Sequence, residues 1–144
     1  MSIRTRRITR TSPTWAVFPI RLGLGAVMFA HGSQKVLGLW GGRGLDAWLS
    51  GMTPFKFMQP AWIWLLAAAL AEFAGGLLIV VGFLTRPAAF LDACTMLTAV
   101  VGVHWRNGLF LTDGGYEYAG VLLTMAISLL IAGGGNGSVD QRLS

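Results

Sequence analysis

Charge is what this sequence has least of. Only 12% of its 144 residues are Asp, Glu, Lys or Arg, against 54% hydrophobic residues. A soluble domain usually carries about 25% charged residues. Half that share cannot cover a chain this small, most of which would be surface. The shortage excludes an ordinary soluble domain and a disordered chain, and it points to an integral membrane protein. Cysteine is also nearly absent. Cys94 stands alone, which excludes an internal disulfide, a CxxC redox pair and a thiolate zinc site. No flavin or iron–sulfur motif occurs, so any redox role draws its electrons from a partner.

What is present is apolar sequence in four long stretches, at about 14–39, 61–84, 87–105 and 116–132. Crossing a bilayer as a helix takes about 20 such residues, and isolated strands in lipid would leave backbone groups unsatisfied. The expected fold is therefore an all-α integral membrane protein, a bundle of four transmembrane helices over 14–135. A basic segment, 1–13, precedes it and a tail, 136–144, follows. Pro87 suits the first turn of the third span. Pro19 means that the first helix either starts there or starts near Ser12-Pro13 and kinks. Gly133-Gly134-Gly135 ends the fourth span, and Asn136-Gly137 is a turn signal.

Arg4, Arg6, Arg7 and Arg10 crowd the N-terminus. By the positive-inside rule they make that end cytoplasmic, and four spans return the C-terminus to the same side. Trp15 then marks the inner interface, while Trp40, Trp62, Trp64, Trp105, Tyr116 and Tyr118 fall near the outer one. Read as a targeting signal, the basic segment fails for want of an A-x-A site and because Arg21, His31 and Lys35 interrupt the apolar stretch after it. The pI of about 10.4 reflects this cluster, which suits anionic lipid better than nucleic acid. In the first outer loop Leu45, Trp48, Leu49 and Met52 form a helical stripe. It reads as a short amphipathic segment lying in the interface as a flap over the bundle.

The few polar residues inside the spans carry the functional information, because a charge at bilayer centre costs about 2.5–3.5 kcal/mol on insertion scales. Arg21 and Asp92 have opposite sign and similar depth near the inner side, and are expected to form a structural ion pair or to reach the interface separately. His31, Gln34 and Lys35 share one face of the first span at i, i+3 and i+4. Glu72 lies mid-span. His104 ends the third span and Glu117 opens the fourth, beside Trp105, Tyr116 and Tyr118. The outer half of the bundle thus collects His31, Glu72, His104 and Glu117 as candidates for proton exchange. Lys35, Gln34, Trp105, Tyr116 and Tyr118 are candidates to hold a quinone or another polar headgroup. Arg106 and Asp113 would line its mouth. The same residues read structurally would form Lys35–Glu117 and His31–Glu72 pairs that set helix order.

Two segments echo one another: Glu72-Phe73-Ala74-Gly75-Gly76-Leu77-Leu78 and Glu117-Tyr118-Ala119-Gly120-Val121-Leu122-Leu123. A tandem duplication would overlay Glu72 on Glu117; coincidence among the cheap letters of membrane helices would not.

His31-Gly32-x-x-Lys35, Glu72-x-x-Gly75-Gly76 with Gly82 and Thr85-Arg86-Pro87-Ala88, Gly114-Gly115-Tyr116-Glu117-Tyr118, and Ser138-x-Asp140 occur in this order. In that order and spacing the chain resembles the DoxX family of small bacterial membrane proteins, from about Arg21 to Asp140. The resemblance implies a four-helix protein of the bacterial inner membrane with a link to redox biology. Some members are quinone-reactive subunits of thiosulfate oxidation, and others are membrane partners of redox or detoxifying enzymes. The expected roles are a redox-linked, quinone-interacting subunit, a non-catalytic anchor or accessory subunit, or a small-solute or proton transporter. Besides the lipid bilayer, the expected partners are other proteins in a membrane complex or further copies of the chain. No covalent cofactor and no metal site are assigned, a haem between His31 and His104 being a remote option.

Overall fold

The computed structural model describes residues 9–144. Residues 1–8 lie outside it, and with them Arg4, Arg6 and Arg7 of the basic cluster. The described residues are all helical or irregular, with no strand. The long helices are α1 (Val17–Val36), α3 (Ala61–Val81), α4 (Thr85–Asn107) and α5 (Glu117–Ala132). A short α2 (Gly44–Leu49) lies in the first connection, and α6 (Val139–Leu143) follows α5. Each expected apolar stretch coincides with one long helix, with its ends displaced by a turn or less. By length and mean hydropathy, α3 (2.2) and α4 (1.4) are able to cross a membrane. Pro19 and Pro87 each fall in the first turn of a helix, where a missing N–H leaves no bond unmade. Pro19 therefore needs no kink.

The helices alternate in direction. One end of the bundle holds both described termini and the α3–α4 turn. The other holds the long first connection and the loop between α4 and α5. At the core, Leu24 and Met28 of α1 meet Ile79 of α3, Ala89 of α4, and Ala126 and Leu129 of α5. The approach of α1 to α3 is close, and it depends on glycine. A Cβ on Gly32 would collide with the backbone of Phe73, and one on Gly76 with the backbone N of Phe29. Small residues permit this because membrane helices associate by packing and polar contacts rather than by hydrophobic force. Phe29 and Phe73 stack beside the crossing, with ring centroids 5.2 Å apart.

The terminal end is held by a clamp. After Gly133 the chain turns back, and residues 136–144, expected as a tail, pack against the α3–α4 turn. Asp140 is buried and its carboxylate accepts from Leu84 N (2.9 Å) and Thr85 N (2.8 Å). These are free N–H groups at the start of α4, where a negative side chain is favoured. Leu84 itself adopts a left-handed conformation, φ 49°, which is strained for a residue with a Cβ. The clamp also settles the partner of Arg21. Its guanidinium donates to Gly134 O (2.8 Å) and Gly137 O (3.1 Å). The expected Arg21–Asp92 ion pair does not form among the described residues. The physical reason is that the returning chain offers Arg21 a set of backbone carbonyls, while Asp92 faces α3.

Removing the clamp's carboxylate has a defined cost. Asp140→Ala is expected to lower stability by about 2 kcal/mol, from lost charge-assisted bonds to a helix start. Thermal unfolding in detergent measures this, and Asp140→Asn should fall between the two.

Candidate functional site

At the other end, the site is built from a distortion in each of two helices. A π-helical turn spans Ala71–Gly75 in α3, and a second spans Ala99–His104 in α4. Such turns insert a residue into the helical register and are frequent at functional sites. Glu72 lies in the first and His104 closes the second. Glu72 is 2% exposed, and its carboxylate forms an ion pair with the Lys35 ammonium, itself 20% exposed. Lys35 lies one turn beyond Gly32, so the backbone contact of Gly32 with Phe73 brings the two charged groups to the same level.

The first connection closes over this pair. Trp48 of α2 donates its indole N–H to Leu65 O (2.8 Å), which fastens the flap to α3. The Lys35 ammonium lies 4.5 Å from the centre of the Trp48 ring, a cation–π distance. In α2, Leu45, Trp48 and Leu49 are half-buried while Asp46 and Ser50 are exposed, as the amphipathic stripe predicts. Met52 departs from the pattern and is 92% exposed.

Beneath the flap is a cavity of about 280 Å³, bordered by His31, Lys35, Glu72, His104 and Tyr118 with Trp48 and Trp64. Met28, Met52, Met58 and Met96 complete much of its wall, and flexible thioethers suit a surface that adapts to apolar shapes. His31 and Tyr118 are exposed at its opening, with ring centroids 6.2 Å apart. His104 Nδ1 lies 2.7 Å from Gly114 O. A carbonyl only accepts, so Nδ1–H donates this bond. A second cavity of about 260 Å³ between α3 and α4 shares Met58, Trp64 and Thr98 with the first and reaches Cys94.

Five of the residues singled out from sequence therefore converge: His31, Lys35, Glu72, His104 and Tyr118. The others do not border the cavity. Gln34 points to the first connection, 3.5 Å from Trp40 O. Glu117 is exposed and accepts from Leu111 N (3.0 Å), so it organises the α4–α5 loop. Trp105 stacks on Tyr116 at 5.2 Å outside the wall, and Arg106 and Asp113 are exposed in the same region. The alternative pairs also differ from expectation, since Lys35 meets Glu72 rather than Glu117, and His31 stands at the opening. The echo between α3 and α5 is not a structural equivalence: Glu72 is buried mid-helix, whereas Glu117 is exposed at a helix start. Trp48, Trp64 and the methionines are among the lining residues that sequence did not assign to the site. The stripe in the first connection was the only signal for Trp48.

An all-helical membrane protein with a buried ion pair under an aromatic and thioether-lined cavity is the class these features define. The chain belongs to the DoxX family, whose model matches residues 16–105, from the start of α1 to His104 and Trp105. No curated protein and no solved structure matches it significantly.

The ion pair can be tested as a unit. Lys35→Met or Glu72→Gln alone is expected to destabilise by about 3 kcal/mol, because each leaves a buried polar partner unmatched. The double variant should recover part of that loss in a double-mutant cycle read by thermal unfolding.

Proposed function

We propose that this protein is a multi-pass protein of the bacterial inner membrane, with four spans and cytoplasmic termini, whose flap-end cavity takes a quinone headgroup. The cavity carries the reading: aromatic and thioether walls with one buried ion pair and two imidazoles. Flat apolar walls and a few convergent polar groups are what a small-molecule site needs. The residues fit a quinone ring in their chemistry. Trp48, Trp64 and Tyr118 offer faces for packing, and the Lys35 ammonium is a donor for a carbonyl. The neighbouring cavity between α3 and α4 gives an apolar tail a way out toward lipid.

A bound quinone supplies electron and proton acceptance together. The chain's own part is to orient the ring, exclude water and handle protons. Trp48 and the flap cover the site. Lys35 steadies a carbonyl oxygen, while Glu72 holds or releases a proton beside it. His104 Nε2 accepts a proton while Nδ1–H remains anchored on Gly114 O. His31, at the opening, exchanges protons with the outside. Electrons come from a partner protein. A second reading is a non-catalytic anchor or accessory subunit, favoured by the fact that Lys35 and Glu72 already satisfy each other. A small-solute or proton transporter is the third.

Purified protein is expected to retain co-extracted quinone, with affinity in Glu72→Gln lowered about 10-fold, or about 1.4 kcal/mol. Chromatography of the extracted lipid and quenching of tryptophan fluorescence measure both. Quinone absent from the wild type, or unaffected by the substitution, favours the anchor. For orientation, Ser144→Cys in a Cys94→Ala background should react with an impermeant maleimide only from the cytoplasmic face, and Ser50→Cys only from the opposite one.

A further inference from the structure

Asp92 is the buried ionisable group that the cavity chemistry leaves unused. It is 0% exposed on α4, and neither carboxyl oxygen has a hydrogen-bond partner among the described residues. Asp92 lies against Gly75, where an added Cβ would come 3.2 Å from Oδ1. Gly75 closes the π turn that holds Glu72 three residues earlier. Asp92 therefore lies just below the Lys35–Glu72 pair, toward the terminal end.

Among the described residues no cation pairs with it. Lys35 is engaged by Glu72, and Arg21 donates to the carbonyls of Gly134 and Gly137. From α3 the titratable group near it is Glu72. The core residues of α1 and α5, such as Leu24, Met28, Leu122 and Ala126, are apolar. On its own helix the nearby Thr95 hydroxyl is bonded to Leu91 O. An ionised carboxylate so placed is costly in an apolar interior, and a neutral carboxyl is far less so.

We propose that Asp92 holds a proton in the resting protein and exchanges it with Glu72, so that Lys35, Glu72 and Asp92 form a proton store beneath the cavity. In the transfer the Asp92 O–H bond breaks and a Glu72 O–H bond forms. One unit of negative charge moves from Glu72 to Asp92, and no electron is exchanged. The step runs only when an anionic ligand enters the cavity and takes over Lys35, so that the new ion pair offsets the cost of the unpaired Asp92 carboxylate. The reverse step restores the pair. The store works the same way whatever molecule the cavity takes, so failure of the quinone reading leaves it standing.

Infrared spectroscopy of the whole protein at neutral pH, in a detergent without carbonyl groups, tests the store. The expected result is a carboxylic-acid C=O band that shifts on exchange into D2O and disappears in Asp92→Asn. Glu72→Gln should keep that band and move its frequency, because the neighbouring negative charge is gone. A wild type without the band, or a band that persists in Asp92→Asn, overturns the proposal. If Asp92→Asn does not fold, Gly75→Ala decides, since it sets a methyl group against Oδ1. A band displaced by that methyl supports the store, and an unmoved band overturns it.

Discussion

A lysine and a glutamate facing each other inside an apolar bundle constrain everything around them. Either charge alone would be costly among these helices, so α1 and α3 must hold them at the same depth and on facing sides. The backbone contact at Gly32 and Phe73 meets that demand, since Lys35 follows Gly32 by one turn and Glu72 directly precedes Phe73. The π turn and the flap belong to the same arrangement. One carries Glu72 in the wall of α3, and the other brings the Trp48 face over the Lys35 ammonium. Loosening any of these contacts exposes the pair to lipid or water.

The two ends of the molecule use charge in different ways. At the terminal end, charged side chains bind backbone: Asp140 takes the free N–H groups of α4, and Arg21 takes carbonyls of the returning chain. Arg86 likewise donates to Arg10 O and Leu130 O. Such bonds satisfy helix ends and the carbonyls of the returning chain. At the flap end, charge meets charge beside a cavity, with two histidines in reach. Asp92 lies between these regions and belongs to neither set of bonds. This separation leaves the fold held by bonds to backbone at one end and with a cavity beside paired charges at the other.

Much of the architecture was legible in the chain. Scarce charge and long apolar stretches located the four long helices, and the glycine run after Ala132 marked the end of α5. Grouping His31 with Lys35 followed from i, i+4 spacing on one helix. That Glu72 would be buried and partnered followed from its depth. The identity of its partner did not follow, because spacing within one helix says nothing about rotation relative to another. The likeness of the Glu72 and Glu117 segments left duplication and coincidence open for the same reason: similar letters occupy a helix middle in one case and a helix start in the other. Arg21 and Asp92 looked complementary by sign and depth, yet the returning chain at Gly134–Asp140 gave Arg21 other acceptors.

The sequence by itself determined the environment, the helices, the amphipathic flap and the list of polar residues that must have partners. These follow from composition and from periodicity along a single chain, where each helix reports on itself. Only the tertiary structure decided that Lys35 meets Glu72, that Trp48 covers them, that Asp140 caps α4 and that Asp92 has no hydrogen-bond partner among the described residues. Those outcomes depend on the depth and rotation of one helix against the next. Close glycine contacts and π turns set both, and neither is written in the 3.6-residue repeat of any one helix.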